Sequence, residues 1–459
     1  MIVPFFLFAF GWFKPLVSAP IIVLLLAAVW LLWQKSRNEN TKPDRNGDFQ
    51  FTTITLIAVI GASVVWISLS GIGGLGFQNS DYTKHNVILH DLIALEWPVN
   101  YGGSKYLVYS FAYYLVPALF GKFGGWQFAN VVGILWSGAG VFLSLLWFIR
   151  LVRLNSLVVL IIPFLFLLLG GMDLLGTYFL HGKIPRLGDH IEWWAIFTQF
   201  SSNSTLIIWV PQHAIVGWLL GGIIAVSWRD KNQYTQIGLI VALSALWSPF
   251  VTIGAAGLVA VLAVKRGYKR FVSLENLVIA PLLVAIVVVF YSANDFQIPM
   301  GPIWRWYPLS TWGWNLALFY LFEFGLLGFL TYGFLKNEPA GEREIFLAVM
   351  LMLVLLPLFK VGVSSDLTMR GSIPVLFIFW SFVVKKFVTI RGPFTVNKGL
   401  FVLILVLGFF SGVSELWRSV KHYNTRVPDE AGISQLTDIY LGAQYIGSKP
   451  SVYSKYLSK

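Results

Sequence analysis

Residues 19–45 read "APIIVLLLAAVWLLWQKSRNENTKPDR", an apolar run that ends at a segment rich in lysine and arginine. The same arrangement recurs along the chain, for example in "LVVLIIPFLFLLLGG" at 157–171 and "LFVLILVLGFF" at 400–410. A helix needs about 17 to 25 apolar residues to cross a bilayer. Repeated runs of this kind, separated by short charged or Gly/Pro-containing breaks, predict an all-α polytopic membrane protein.

The composition supports this class. Of 459 residues, 57% are hydrophobic and 12% are charged, whereas soluble domains carry about 25% charged residues. The runs predict about 11–13 transmembrane helices, with short re-entrant or interfacial helices among them. The net charge of +12 lies mainly at the breaks, which is typical of cytoplasmic loops and not of a nucleic-acid-binding surface. The chain has no cysteine, so disulfides and thiolate metal sites are excluded.

We assign the breaks that are rich in lysine and arginine to the cytoplasm. This assignment divides the chain into three regions. Residues 1–50 form an N-terminal hydrophobic region and a cytoplasmic loop. Residues 51–414 form the transmembrane domain, with outer loops at 71–105 and 173–205. Residues 415–459 form a short extracytoplasmic tail. All six histidines fall on the outer side in this topology, so we expect an integral plasma (inner) membrane protein whose active site faces the extracytoplasmic side.

Two segments predict short helices. Residues 104–121 are expected to lie tilted or re-entrant near the outer face, followed by a full span at 127–149. Residues 236–248 and 250–264 are expected to form a hairpin of two short helices, because Ser248-Pro249 interrupts the apolar run.

Residues 78–97, "QNSDYTKHNVILHDLIALEW", hold an unusual density of charge. On a helix, Asp81, Lys84 and His85 share one face. Asp81 is a candidate general base for an acceptor hydroxyl, and Lys84 or His85 is a candidate phosphate ligand. The alternative is an amphipathic connector whose charges only keep it solvated.

A second polar stretch, "GGMDLLGTYFLHGKIPRLGDHIEWW", covers residues 170–194. Asp173 is expected near the outer end of a span, where a carboxylate is costly unless it is paired or hydrated. With Arg186 it could complete a site with Asp81, or these residues could be ordinary loop polarity. No spacing of histidine and acidic residues resembles a firm ligand motif, so a divalent metal is not indicated.

Three further positions carry polar groups at or within spans. His213 begins an inward span in "WVPQHAIVGWLL" (209–220), where a boundary histidine is commonly an interfacial hydrogen-bonding residue. Asp366 and Arg370 lie four residues apart in "KVGVSSDLTMRGSIPVL" (360–376). Arg370 suits a phosphate, although the pair could simply secure a helix start. Glu323 lies mid-span and needs a partner or water.

Four features, in chain order, resemble the GT-C superfamily of membrane glycosyltransferases, which includes protein O-mannosyltransferases and aminoarabinose transferases. The first is a carboxylate in the first outer loop, Asp81. The others are sequence stretches: "WPVNYGGSKYLVYSFAYYLVPALFGKFGG" followed by "ANVVGILWSGAGVFLSLLWFIRLVR", then "IGLIVALSALWSPFVTIGAAGLVAVLAVKRG", then "MRGSIPVLFIFW".

The resemblance implies a GT-C-like fold and transfer of a sugar from a polyprenyl-phosphate or polyprenyl-diphosphate donor at the outer leaflet. Asp81 matches the position of the base and Arg370 that of the carrier-phosphate ligand. A lipid or glycan is the expected acceptor, with membrane lipids as further partners and no cofactor specified. The chain departs from the family because its first loop has no paired acidic motif. It also has no large soluble C-terminal domain, which argues against a peptide acceptor.

Two other functions remain open at this point. Intramembrane Asp173, Glu323, Asp366 and Arg370 would suit a transporter or flippase of a lipid-linked glycan or anion. However, the halves of the chain show none of the inverted repeats that are common in transporters. A membrane assembly partner without turnover is the third alternative.

Overall fold

The structure, a computed structural model, describes residues 1–40, 51–103, 105–153, 157–229, 233–294, 297–390, 395–433, 444–447 and 451–459. These residues are almost entirely helical. The α-helices are α1 (Ile2–Trp12), α2 (Pro15–Asn40), α3 (Thr53–Ser68), α4 (Asp81–Ala94), α5 (Ala112–Val152), α6 (Ile162–Leu168), α7 (Asp173–His181), α8 (Asn203–Trp209), α9 (Pro211–Arg229), α10 (Ile237–Ala242), α11 (Pro249–Arg266), α12 (Ala280–Tyr291), α13 (Leu309–Tyr320), α14 (Leu326–Phe334), α15 (Ala340–Leu355), α16 (Asp366–Gly371), α17 (Ile373–Thr389) and α18 (Val396–Lys421).

Two small antiparallel sheets complete the described part of the chain. Strand β1 (Tyr106–Leu107) pairs with β4 (Ile446–Gly447). Strand β2 (Met300–Pro302) pairs with β3 (Phe359–Val361). Both sheets join segments that are far apart in sequence.

Six helical segments of the described residues are long and apolar enough to cross a membrane: Pro15–Lys35, Ala112–Val152, Ile162–His181, Pro249–Arg266, Leu309–Phe334 and Val396–Lys421. Three shorter apolar helices are Ile2–Trp12, Thr53–Ser68 and Glu275–Tyr291. An all-α polytopic membrane protein is therefore confirmed. The predicted count of 11–13 spans is not reached by these criteria: α17, for example, has 17 residues, and α9 begins with the polar pair Gln212 and His213.

Helices α9 and α17 pack together at the centre of the bundle. Gly217 and Gly221, four residues apart on α9, form the contact. A Cβ on Gly217 would lie 2.4 Å from Ile373, and one on Gly221 would lie 2.7 Å from the carbonyl oxygen of Pro374. Small residues at this spacing let two helix backbones approach closely in a membrane, where packing replaces the hydrophobic effect. This contact fixes the position of α17 and of the short helix α16 before it.

The predicted breaks in two helical regions are confirmed. Within α5, Gly125 has φ 79° and ψ −175°, so the chain forms two helical segments in place of one long helix. This agrees with a short helix followed by a span, although the first segment begins at Ala112 and not at 104. At the second break, Pro249 opens α11 and the Ser248 side chain accepts a hydrogen bond from the Val251 N–H, which is a standard N-cap.

Helix α18 continues to Lys421, past the boundary that was expected at 414. Within the extension, the buried Glu415 accepts from the Trp209 indole N–H at 3.0 Å, and the buried Ser419 donates to the carbonyl oxygen of Leu69. The tail beyond it returns to the N-terminal region: Tyr453 packs against Phe13 with ring centroids 5.8 Å apart, and the Lys14 N–H donates to the carbonyl oxygen of Leu457 at 2.9 Å. Parts of two predicted regions, residues 41–50 of the basic loop and 434–443 and 448–450 of the tail, lie outside the described residues.

Candidate functional site

The start of α4 is held by Asn79. Its side-chain oxygen accepts from the Asp81 N–H at 2.9 Å, and its amide donates to the carbonyl oxygen of Ile208 at 2.8 Å. One turn along, Lys84 Nζ lies 2.9 Å from Asp81 Oδ1, and each side chain is 27% exposed. The predicted grouping of Asp81 and Lys84 on one helix face is therefore present as an ion pair near the surface.

His85 connects three helical regions. Its Nε2 lies 2.9 Å from the carbonyl oxygen of Trp209, and its Nδ1 contacts the Tyr114 hydroxyl. A carbonyl can only accept, so Nε2 carries the proton and Nδ1 accepts from the tyrosine. Burial lowers the pKa of His85, which agrees with a neutral ring. Both nitrogens are in use, so His85 positions α4 in this structure instead of presenting a free ring nitrogen to a substrate.

Asp366 and Arg370 form the predicted pair, with Arg370 NH1 2.6 Å from Asp366 Oδ1. The guanidinium also lies over the Phe250 ring, 5.7 Å from its centroid. Burial opposes the charge, but the negative charge of Asp366, with smaller contributions from Tyr109 and Asp81, outweighs it, and the pKa of Arg370 is raised. Arg370 is therefore a permanent cation, and its Nε has no hydrogen-bond partner within the described residues.

These residues lie on helices that pack within one region, α4 against α5 and α16 against α9. Burial is the largest cause of the lowered pKa of His85 and of His213, and the positive charge of Arg370 lowers both further. We call the set Asp81, Lys84, His85, His213, Asp366 and Arg370 the charged cluster. The fold thus gathers six of the predicted site residues from α4, α9 and α16.

Two tyrosines that sequence reasoning missed belong beside this cluster. Tyr109 and Tyr445 pack edge to face with ring centroids 4.6 Å apart, and both act electrostatically on Arg370. Tyr445 reaches this position because its carbonyl oxygen accepts from the Val108 N–H at 2.8 Å, next to the β1–β4 pairing. Nothing in the local sequence of either tyrosine indicates the other.

An apolar groove with an accessible volume of about 100 Å³ lies between α5 and α9. Residues of these two helices form much of its wall, including Tyr113, Ile215 and Val216. Helix α9 therefore carries both His213 of the charged cluster and part of the groove wall.

Asp173 belongs to a different group of buried acids. The Trp194 indole N–H lies 3.0 Å from both Asp173 Oδ1 and Glu323 Oε1, and Ser411 donates to Asp173 Oδ2 at 2.5 Å. Trp194 is therefore the hydrogen-bond partner of Glu323, which the sequence did not identify. Two carboxyl groups at a single buried donor cannot both be ionised without strong repulsion. We call the set Asp173, Glu192, Glu323 and Glu415 the buried carboxyl cluster.

Glu192 and Glu415 occupy the same region. Burial, with the nearby Asp173, raises the pKa of Glu192 to about 7. Glu415 Oε1 lies 2.8 Å from His190 Nδ1. Burial lowers the pKa of His190, but the contact with Glu415 outweighs burial and the net shift is upward. The stretch 170–194, for which ordinary loop polarity was one alternative, therefore contains a buried glutamate.

The expectation that Asp173 and Arg186 complete a site with Asp81 is not supported by their contacts. Asp173 contacts Trp194 and Ser411 instead. Arg186 is exposed in the predicted outer loop, where its backbone N–H donates to Asp189 Oδ2 at 2.8 Å. Trp209 connects the two clusters: its carbonyl oxygen contacts His85, and its indole N–H donates to Glu415 Oε2 at 3.0 Å. The link is thus through a tryptophan and not through Asp173 itself.

No protein-family model, no curated protein and no solved structure matches this chain. Within the described ranges, no group of three or more histidine and acidic side chains is arranged to hold a metal ion.

Proposed function

We propose that this chain is a membrane glycosyltransferase that transfers a sugar from a polyprenyl-phosphate donor to a lipid or glycan acceptor at the extracytoplasmic face of the plasma membrane. The observation that carries the proposal is that Asp81 and Arg370, which are far apart in sequence, lie on helices packed against α5 and α9, the two helices that line most of an apolar groove. A lipid-linked donor needs both surfaces, because its tail is apolar and its phosphate is charged.

In the proposed reaction, the acceptor hydroxyl attacks the anomeric carbon of the sugar while Asp81 accepts the hydroxyl proton. The bond between that carbon and the phosphate oxygen breaks, and its electron pair leaves with the phosphate. Arg370 stabilises the leaving phosphate because a fixed cation already faces the position where charge develops. The polyprenyl chain occupies the groove between α5 and α9.

The test is mass spectrometry of lipids that co-purify with the wild type, Asp81→Asn and Arg370→Ala. We expect the wild type and Asp81→Asn to retain a polyprenyl-phosphate species, because Asp81 acts on the acceptor. Arg370→Ala should lose it. Retention of bulk phospholipid alone by all three proteins would refute the donor site, and sugar transfer that survives in Asp81→Asn would refute the role of the base.

The buried carboxyl cluster favours a second candidate, a transporter or flippase of a lipid-linked glycan or anion. Asp173 and Glu323 share a donor within membrane-spanning segments, and intramembrane carboxyls are common in proton pathways. Glu323→Gln removes the titrating group but keeps an amide that can bond to Trp194. Loss of flux in sealed vesicles, with retained folding, would favour transport; unchanged flux or none in the wild type would exclude this pathway.

A further inference from the structure

His213 is a buried histidine near the start of α9. It is 1% exposed, and neither Nδ1 nor Nε2 makes a hydrogen bond within the described residues. Buried polar groups in folded proteins are nearly always hydrogen-bonded, and an unpaired one costs about 1–3 kcal/mol. In His85, by contrast, both ring nitrogens are engaged. The contrast indicates that the ring of His213 faces a ligand position.

The surroundings of His213 identify the charge of that ligand. Burial lowers the pKa of His213, and the nearby Arg370 and His85 lower it further, so the ring is neutral before a ligand binds. Of the helices packed on α9, α5 contributes the Tyr114 hydroxyl, which contacts His85. Helix α15 contributes Glu342, which pairs with Arg229 at the opposite end of α9. A cation beside an unpartnered imidazole at the start of a long helix favours an anion.

The positive and negative charges of the charged cluster already cancel before such an anion binds. Asp81 pairs with Lys84 and Asp366 pairs with Arg370, and the His85 ring is neutral. A phosphodiester brings one negative charge into this partly buried site. An uncompensated buried charge is costly, so a further positive charge is needed. Among the described residues of the cluster, His213 is the neutral titratable group whose ring nitrogens make no hydrogen bond.

We propose that His213 is a phosphate ligand beside Arg370 and that it takes up one proton from solvent when the phosphodiester of the donor binds. This inference rests on the proposed function, since it assigns the phosphate of the same donor. The imidazolium then donates one N–H to a phosphate oxygen. Binding of the donor is thereby coupled to proton uptake, and raising the pH weakens it.

The experiment is isothermal titration calorimetry of the full chain in detergent with farnesyl methyl phosphate, a phosphodiester that does not titrate near neutral pH. Repeating the titration at one pH in buffers of different ionisation enthalpy gives the number of protons taken up. Farnesol serves as the uncharged probe. The proteins are the wild type, His213→Gln, Arg370→Ala and the control His422→Gln, which changes an exposed histidine on the tail.

We expect the wild type and His422→Gln to take up close to one proton on binding. His213→Gln should take up none and bind about tenfold or more weakly, since a charge-assisted hydrogen bond is lost. Proton uptake that persists in His213→Gln, or binding by the wild type without uptake, would overturn the role of His213 while leaving the donor site intact. Equal binding of farnesol and the phosphodiester, or binding that survives in Arg370→Ala, would overturn the donor site itself.

Folding of His213→Gln is checked by size exclusion and thermal unfolding. If that variant does not fold, His213→Asn is the second substitution. The wild-type proton count decides the matter independently of either variant, because a value near zero contradicts the proposal.

Discussion

Glu192 should make the stability of this protein fall as the pH rises. The side chain is 1% exposed and accepts hydrogen bonds from Gln199 Nε2 at 2.9 Å, the Ser202 N–H at 2.9 Å and the Thr205 hydroxyl at 2.6 Å. Burial nevertheless raises its pKa from 4.5 to about 7. The folded chain therefore holds this proton more tightly than the unfolded chain does.

The direction of the effect follows from proton linkage. A group whose pKa is raised on folding contributes its stability below its unfolded pKa and loses it as the pH rises through the folded pKa. The window for Glu192 runs from 4.5 to about 7. At about 1.4 kcal/mol per pH unit, the free energy of unfolding should fall by about 3 kcal/mol across this window. His190, whose pKa is also raised, acts in the same direction.

Glu192→Gln is the decisive variant, because the glutamine amide resembles the protonated acid. The Gln199 amide can rotate to accept from it, so we expect a change below about 1 kcal/mol at the acid end of the window. Above the window the variant should be about 3 kcal/mol more stable than the wild type. The measurement is unfolding by titration with SDS in mixed micelles at a series of pH values.

Glu430→Gln is the matched control, since that glutamate side chain is 64% exposed and should leave the pH profile unchanged. Parallel profiles for the wild type and Glu192→Gln would refute the reasoning, because they would show that Glu192 does not change protonation on folding. A variant that loses stability equally at every pH would instead show a purely structural role for the carboxylate.

Two further predictions concern the packing that positions the site and the opposite end of the bundle. Gly254→Ala should destabilise the protein by about 3 kcal/mol, because the new Cβ would lie 1.9 Å from the carbonyl oxygen of Gly371; it should also weaken phosphodiester binding by displacing α16. Gly61→Ala, where nothing lies within 4 Å, is the control and should be neutral or slightly stabilising in SDS unfolding. Arg229→Ala should cost about 3 kcal/mol, because Arg229 bonds to both oxygens of Glu342 at 2.7 and 2.9 Å. Arg229→Lys should cost about 1 kcal/mol, and equal losses in the two variants would contradict a role for the paired hydrogen bonds.

The same sequence signals that predicted a membrane protein also located its helix breaks. Apolar runs have to satisfy their backbone groups within the bilayer, so they must be helices, and Ser248-Pro249 starts a new helix because proline suits the first turn. A short helix at 104–121 and a separate span at 127–149 were likewise predicted, and the structure places the break between them at Gly125. The number of spans was harder to predict from the sequence, because central helices such as α9 contact protein on most sides and need not be uniformly apolar.

The sequence by itself determined that Asp81, Lys84, Asp366 and Arg370 are charges which a membrane protein must pair, and local spacing of three and four residues paired them correctly. Only the tertiary structure decided which of these local pairs lie near one another and near other polar residues. It packed α16, which carries Arg370, against α9, which carries His213, and placed Asp173 with Glu323 and Trp194. It also engaged both ring nitrogens of His85, whereas those of His213 have no hydrogen-bond partner among the described residues. The physical reason is that helix periodicity acts over a few residues, whereas contacts between helices depend on packing such as that of Gly217 and Gly221 against α17, which joins residues far apart in the chain.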